Sequence, residues 1–172
     1  MLETYGNIWE LYSEYDAMAI TTNGFVKKNG EAVMGRGVAK EAVQRFPEFP
    51  GRLGYILKIY GNIVWPFDFY GEHIIFSFPV KPQYGPDGEM GWKVKADINL
   101  IKQSAHELVG YADGMFLKKI ILPRPGCGNG GLKWADVKKE IEPIFDDRFT
   151  VVTNDYRNLI VGSPRNTRTD SR

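Results

Sequence analysis

Short apolar, β-branched runs alternate with stretches of helical spacing along most of this chain, and that alternation limits its fold more than any other feature. Residues 17–22 (AMAITT) read as a buried strand. Residues 34–46 then place Val38, Ala39, Ala42, Val43 and Phe46 at helical spacing, and Pro47 and Pro50 close that segment. Residues 62–65 and 73–80 read as strands joined by a connection bearing Gly, Asp and Pro. Residues 81–92 (KPQYGPDGEMGW) read as a loop. Residues 97–112 set Ile98, Ile101, Ala105, Leu108, Val109 and Ala112 on one face of an amphipathic helix. Residues 119–123 (KIILP) form a short apolar run, followed by a Gly/Pro loop. A helix with Trp134, Val137, Ile141 and Phe145 inward comes next, to be kinked or shortened by Pro143, and residues 149–153 are a last strand. The order predicts an α/β fold: a mixed, largely parallel sheet covered by helices on both sides.

Two glycine-rich loops fall between a strand and the helix that follows it. They are MGRGVA at residues 34–39 and PGCGNGGL at residues 125–132. Glycine lets backbone approach a ligand closely and takes a positive φ freely. Successive N–H groups then point at the ligand, and the next helix adds its positive dipole end. Either loop alone is as well read as a tight turn. As a pair in one α/β domain they predict a cradle for the phosphates of a nucleotide-like ligand, outside the carboxyl ends of the strands. No GK[ST] follows either loop, so neither is a P-loop, and neither matches GxGxxG with an acid ~20 residues on.

The 172 residues suit one domain, and the polar segment SPRNTRTDSR reads as a disordered tail; we expect residues 1–162 to be the folded domain and 163–172 the tail. Formal net charge is +1, and the tail carries +2 of it, so the body is near −1. A domain that grips duplex DNA over many phosphates would carry a strong basic face, and this one does not. No apolar run approaches the ~18 residues of a membrane span, and the acidic start MLETYGNIWELYSEYD is no signal peptide. Cys127 is the one cysteine, which fits a reducing, cytoplasmic setting. No HExxH or paired Cys/His spacing occurs, so neither a metal nor a cofactor is expected.

GNI at residues 6–8, a strand ending in Asn23, MGRGVA, FPVK at residues 78–81 and GCGNGGLKWADV at residues 126–137 follow one another in an order that resembles the macrodomain family. Within it the chain looks most like the branch holding DarG-type DNA ADP-ribosylglycohydrolases and the terminal ADP-ribose protein glycohydrolase. The resemblance covers about residues 3–155 and implies a three-layer α/β/α macrodomain with a mixed central sheet and ADP-ribose in a cleft across its top. It places Asn7 where macrodomains usually carry an Asp that accepts from the adenine amine, an exchange that keeps an acceptor oxygen and loses the charge. It gives Ile8 a backbone contact, sets Asn23 near the distal ribose, and wraps that ribose and the diphosphate with Met34, Gly35, Arg36, Gly37, Val38 and Ala39. Gly126, Cys127, Gly128, Asn129, Gly130, Gly131 and Leu132 then hold the diphosphate from the other side, and Tyr156 stacks on adenine.

Two departures stand out. GFVKKNGEAV, between Asn23 and Met34, is longer than the DarG pattern, and its KKNGE predicts a hairpin tip on a flap. Gly130 stands where the human-type terminal glycohydrolase has its catalytic Asp, as it does in the DarG type. Chemistry then falls to Lys81, which the resemblance equates with the lysine that DarG-type enzymes need to remove ADP-ribose. A lysine after a strand is ordinarily a surface residue. With a lowered pKa it is a base or nucleophile at ribose C1″; as a cation it stabilises the opened sugar or the leaving group. Sequence does not choose between these. His73, His106, Asp87, Glu89 and Asp97 read as packed, solvated or capping residues, whereas Tyr84 and Trp92 either cover the core or stack on a base. The implied partner is ADP-ribose on a macromolecule, with ADP-ribosyl thymidine in DNA favoured. A non-catalytic reader and an ADP-ribose 1″-phosphate phosphatase stay open as alternatives.

Overall fold

The computed structural model describes residues 1–69, 71 and 73–154. Tyr156 and the polar tail therefore lie outside the described residues. One six-stranded sheet organises the chain: β1 (Leu2–Tyr5), β2 (Ala17–Asn23), β3 (Trp65–Phe67), β4 (Ile74–Lys81), β5 (Ile120–Pro123) and β6 (Phe149–Thr153). The order across it is β1-β6-β5-β2-β4-β3, parallel throughout except for β3, which runs antiparallel to β4 at one edge. The central strand β2 is buried on both faces over its first four residues, as its unbroken apolar run requires.

Helices α1 (Ile8–Leu11), α2 (Gly37–Arg45) and α3 (Phe49–Tyr60) cover one face. There Ala42, Phe49 and Leu53 pack on Met18, Ile20 and Ile75. Helices α4 (Ile98–Gly114) and α5 (Trp134–Ile141) cover the other, where Ile101, Ala105, Leu108 and Val137 pack on Ala17, Ala19, Phe76 and Phe78. The result is the three-layer α/β/α arrangement. Helix α4 starts where expected, because Asp97 caps it by accepting from the Asn99 and Leu100 amides at 2.8 and 3.2 Å. Helix α5 ends just before Pro143.

Three elements differ from the sequence reading. Pro50 does not close a helix; it stands in the first turn of α3, where its missing N–H costs nothing. The strand expected at residues 62–65 forms at Trp65–Phe67 instead. Residues 62–64 are occupied otherwise: Asn62 Nδ2 donates to the Lys81 carbonyl at 3.0 Å, and the Val64 amide donates to Glu107 at 2.8 Å. Strand β1 carries no apolar alternation, since it is a short edge strand with a mostly exposed face, and pairs with β6.

Candidate functional site

The carboxyl ends of the parallel strands open into a cleft of about 640 Å³. Its floor comes from the ends of β2, β4, β5 and β6, and its walls are the two glycine loops. Among the sequence-predicted residues, Asn7, Ile8, Asn23, Met34–Ala39, Lys81 and Gly126–Gly130 all line it. Gly131 and Leu132 do not. The Leu132 amide donates to the Gly126 carbonyl at 2.9 Å, which closes the second loop, and the Leu132 side chain packs on the core below. Both residues shape the loop from behind.

The two loops use glycine in different ways. Gly37 opens α2 at φ 57°, with the Asn129 amide nitrogen 3.5 Å from where its Cβ would lie. Gly130 is not among the glycines of positive φ, but a Cβ there would overlap the backbone of Gly126. The loop therefore excludes any side chain, an Asp included, at Gly130. A Cβ at Gly128, by contrast, meets nothing within 4 Å and would project into open space at the cleft.

Lys81 is the last residue of β4 and pairs with Asn23 across a register shift at the end of β2. It is only 9% exposed. Its carbonyl accepts from Asn62 and from the Gly24 amide at 3.2 Å, while its Nζ donates to the Trp92 carbonyl at 3.1 Å. No carboxylate pairs with it among the described residues. Burial, and then the nearby Arg36, push the ammonium below the ordinary lysine range. Gly24 has to be glycine here, because a Cβ would come within 2.8 Å of both Asn62 Nδ2 and the Gln83 amide.

The segment between Asn23 and Met34 is a docked hairpin. Its tip is closed by bonds from Lys27 N to Glu31 O and from Gly30 N to Lys27 O, at 2.8 and 2.9 Å. Asn23 ties its base, accepting from the Phe25 amide at 3.0 Å and donating to the Val33 carbonyl at 2.9 Å. Ala32 N reaches Pro50 O at 2.8 Å, and the Gly30 carbonyl lies directly against Gly54 of α3. Phe25 meets Tyr84 edge to face at 5.7 Å.

Cys127 sits in the second loop with its thiol donating to the Pro125 carbonyl at 3.4 Å, and burial pushes its pKa up to about 11. It is no nucleophile at neutral pH. His73 packs edge-on against Tyr12, and His106 is exposed on α4; neither lines the cleft. Among the described residues no group of three His, Cys, Asp or Glu could hold a metal ion, and no helix is long and apolar enough to cross a membrane. Sequence reasoning missed Thr22, Glu41 and Arg124 as cleft residues, while Trp92, read as covering the core or stacking on a base, lines the cleft. Trp92 and Arg124 sit beside recognised loops, but nothing in the local pattern marked Thr22 or Glu41.

Comparison with solved structures places this architecture. The macrodomain of Mycobacterium tuberculosis DarG superimposes with a TM-score of 0.70 at 22% identity, covering 90% of this chain and 99% of that one. A Thermosipho africanus DarTG structure in complex with ADP-ribose superimposes with a TM-score of 0.67 at 16% identity, over 88% of this chain and 41% of that one. The chain has the macrodomain fold. No protein-family profile matches it. Among curated sequences it is 26% identical over 126 residues to a DNA ADP-ribosyl glycohydrolase of Thermus aquaticus, covering 69% of this chain and 32% of the relative. Sequence and structural similarity thus both fall on macrodomains of the DarG type. The chain spans about a third of the length of the curated relatives it matches.

Proposed function

We propose that this domain binds ADP-ribose and hydrolyses the bond joining it to a macromolecule, ADP-ribosyl thymidine in DNA being the favoured substrate, with Lys81 as the catalytic residue. One observation carries the reading: a buried lysine with no acidic partner among the described residues lies in the same cleft as two loops of backbone N–H groups. The loops suit the diphosphate, since they supply N–H donors and a helix N-terminus without needing a metal. That leaves the distal ribose beside Asn23 and Lys81. The DarG-type relatives support the choice of ligand.

Hydrolysis breaks the glycosidic bond at C1″. Water supplies the hydroxyl that ends on C1″ and the proton that ends on the leaving group. The depressed basicity of Lys81 raises its neutral fraction, which suits a base toward that water or a nucleophile at C1″. Gly130 cannot be replaced by an acid in this loop, so the acid that serves other macrodomain hydrolases has no place there.

The test is an oligonucleotide carrying ADP-ribosyl thymidine, incubated with the wild-type protein and with Lys81→Ala. Release by the first and not the second is expected. Tight ADP-ribose binding without release by either would make the domain a reader. Absence of ADP-ribose binding in calorimetry would overturn the ligand itself.

A further inference from the structure

Strands β2 and β4 end side by side at Asn23 and Lys81, and each runs on into a small hairpin. Residues 24–33 form the first. Residues 82–91 form the second, where Tyr84 pairs with Met90 and the Gly85 amide donates to the Glu89 carbonyl at 2.8 Å. The Gly91 amide closes its base on the Gln83 carbonyl, also at 2.8 Å. The hairpins meet where Phe25 packs edge to face on Tyr84. Tyr84 follows Lys81 by three residues, so the chain holds the two within about 11 Å. Even so, Tyr84 is 54% exposed and its neighbour Met90 36%. The ring is braced on one edge and open to solvent elsewhere.

Charge is uneven around it. Residues 24–33 and 81–95 hold five lysines and three acids, a local net +2 in a domain whose body is near −1. Two of the acids are engaged at the hairpin tips: Glu31 pairs with Lys27 at 3.2 Å, and Glu89 accepts from the Asp87 amide at 3.1 Å. Lys93 reaches over the ring of Trp92, a cleft residue, at 5.1 Å, and Lys95 runs alongside Gly131 of the second glycine loop. Neither lysine pairs with a carboxylate among the described residues. Open aromatic rings beside unpaired cations suit a single nucleic-acid strand, because the rings take bases and the cations take phosphates. A duplex keeps its bases stacked inside and would need a broader basic face. A protein offers neither a regular flat face to the ring nor a regular negative charge to the lysines.

We propose that Tyr84, braced by Phe25, stacks a nucleobase next to the modified one, while Lys93 and Lys95 take phosphates of the same single strand. The proposal rests on ADP-ribosylated DNA being the substrate, and it adds how the strand is held. With C1″ at Lys81, the leaving group starts within reach of this rim.

Calorimetry tests it in the Lys81→Ala protein, which should not release the ligand. The probes are free ADP-ribose, ADP-ribosyl thymidine in a single-stranded oligonucleotide, and an ADP-ribosylated peptide. The oligonucleotide should bind about tenfold tighter than ADP-ribose, the scale of one base stacked on an aromatic ring, and the peptide no tighter. Adding Tyr84→Ala should remove that gain and leave ADP-ribose affinity unchanged, whereas Tyr84→Phe should keep the gain. Abasic sites beside the modified thymidine should remove it with Tyr84 in place. Lys93→Gln with Lys95→Gln should flatten the salt dependence of oligonucleotide binding by about 0.7 in log–log slope per lysine. Tyr84 is exposed on a loop, so its variants should keep their fold, checked by thermal melting. A gain that survives Tyr84→Ala, or a loss of ADP-ribose affinity in that variant, would overturn the stacking role while ADP-ribose binding still stands. An unchanged salt slope would overturn the role of the lysines. A gain shown by the peptide and removed by Tyr84→Ala would assign the rim to protein and overturn the choice of DNA. If no probe binds, the ligand reading fails and this proposal fails with it.

Discussion

Lys81 Nζ donates to the carbonyl of Trp92 at 3.1 Å, tying the end of β4 to the far side of the loop that leaves it. That bond holds the amine at the cleft, whereas Lys27, Lys102 and Lys138 are ion-paired at the surface. It uses one donor and leaves the rest of the amine for a ligand.

The rate of ADP-ribose release should therefore follow the neutral form of Lys81. Its pKa is lowered, so activity should climb with pH and level off below the ~10.4 of an ordinary lysine. A pH–rate profile with saturating substrate checks this. A rate that instead falls as pH rises would assign Lys81 its work as a cation.

Lys81 should also cost stability at neutral pH. The folded state disfavours its proton relative to the unfolded chain, so the cost is complete below the folded-state pKa. It fades as pH rises through that value toward the unfolded one. Lys81→Met should melt higher than wild type at pH 7, and the difference should shrink at alkaline pH. Thermal melts at both pH values are the measurement.

Gly128→Leu should abolish ADP-ribose binding while shifting stability by no more than about 0.5 kcal/mol. Its Cβ meets nothing of the protein within 4 Å and lies in the cleft. Calorimetry and a urea melt separate the two effects, and binding within twofold of wild type would move the diphosphate elsewhere.

Gly130→Asp should behave in the opposite way. The new Cβ would drive into the Gly126 backbone, so the loop has to open. A loss of about 1–3 kcal/mol is expected, together with loss of binding, and no gain of hydrolysis despite the added acid. Chemical denaturation and the release assay report both.

Gly54→Ala probes the hairpin. Its methyl would overlap the Gly30 carbonyl, levering residues 24–33 off α3 at a cost of about 1–3 kcal/mol. Faster amide exchange at Ala32, which bonds to the Pro50 carbonyl, is the local readout.

The alternation of strands and helices was legible because it is written in local periodicity. The apolar residues 17–20 are buried on both faces of the sheet, and Ile101, Ala105 and Leu108 share one helical face. The glycine loops were legible for a similar reason, since backbone freedom is a property of the residue itself. Helix α3 went unread, with Pro50 taken only as closing the segment before it, because proline both ends helices and begins them. The spacing of Phe49, Leu53 and Ile56, all buried, is the signal that decides for a beginning.

Sequence by itself determined the α/β class, the loops at the strand ends and the segment that carries Lys81. Tertiary structure alone decided what surrounds them. The burial of Lys81 depends on Asn62, Gly24 and Trp92 arriving from three other segments, and the setting of Glu41 depends on an indole 32 residues away. A lysine's basicity and a carboxylate's availability follow from which groups exclude water from them. Those groups meet only when distant parts of the chain pack together.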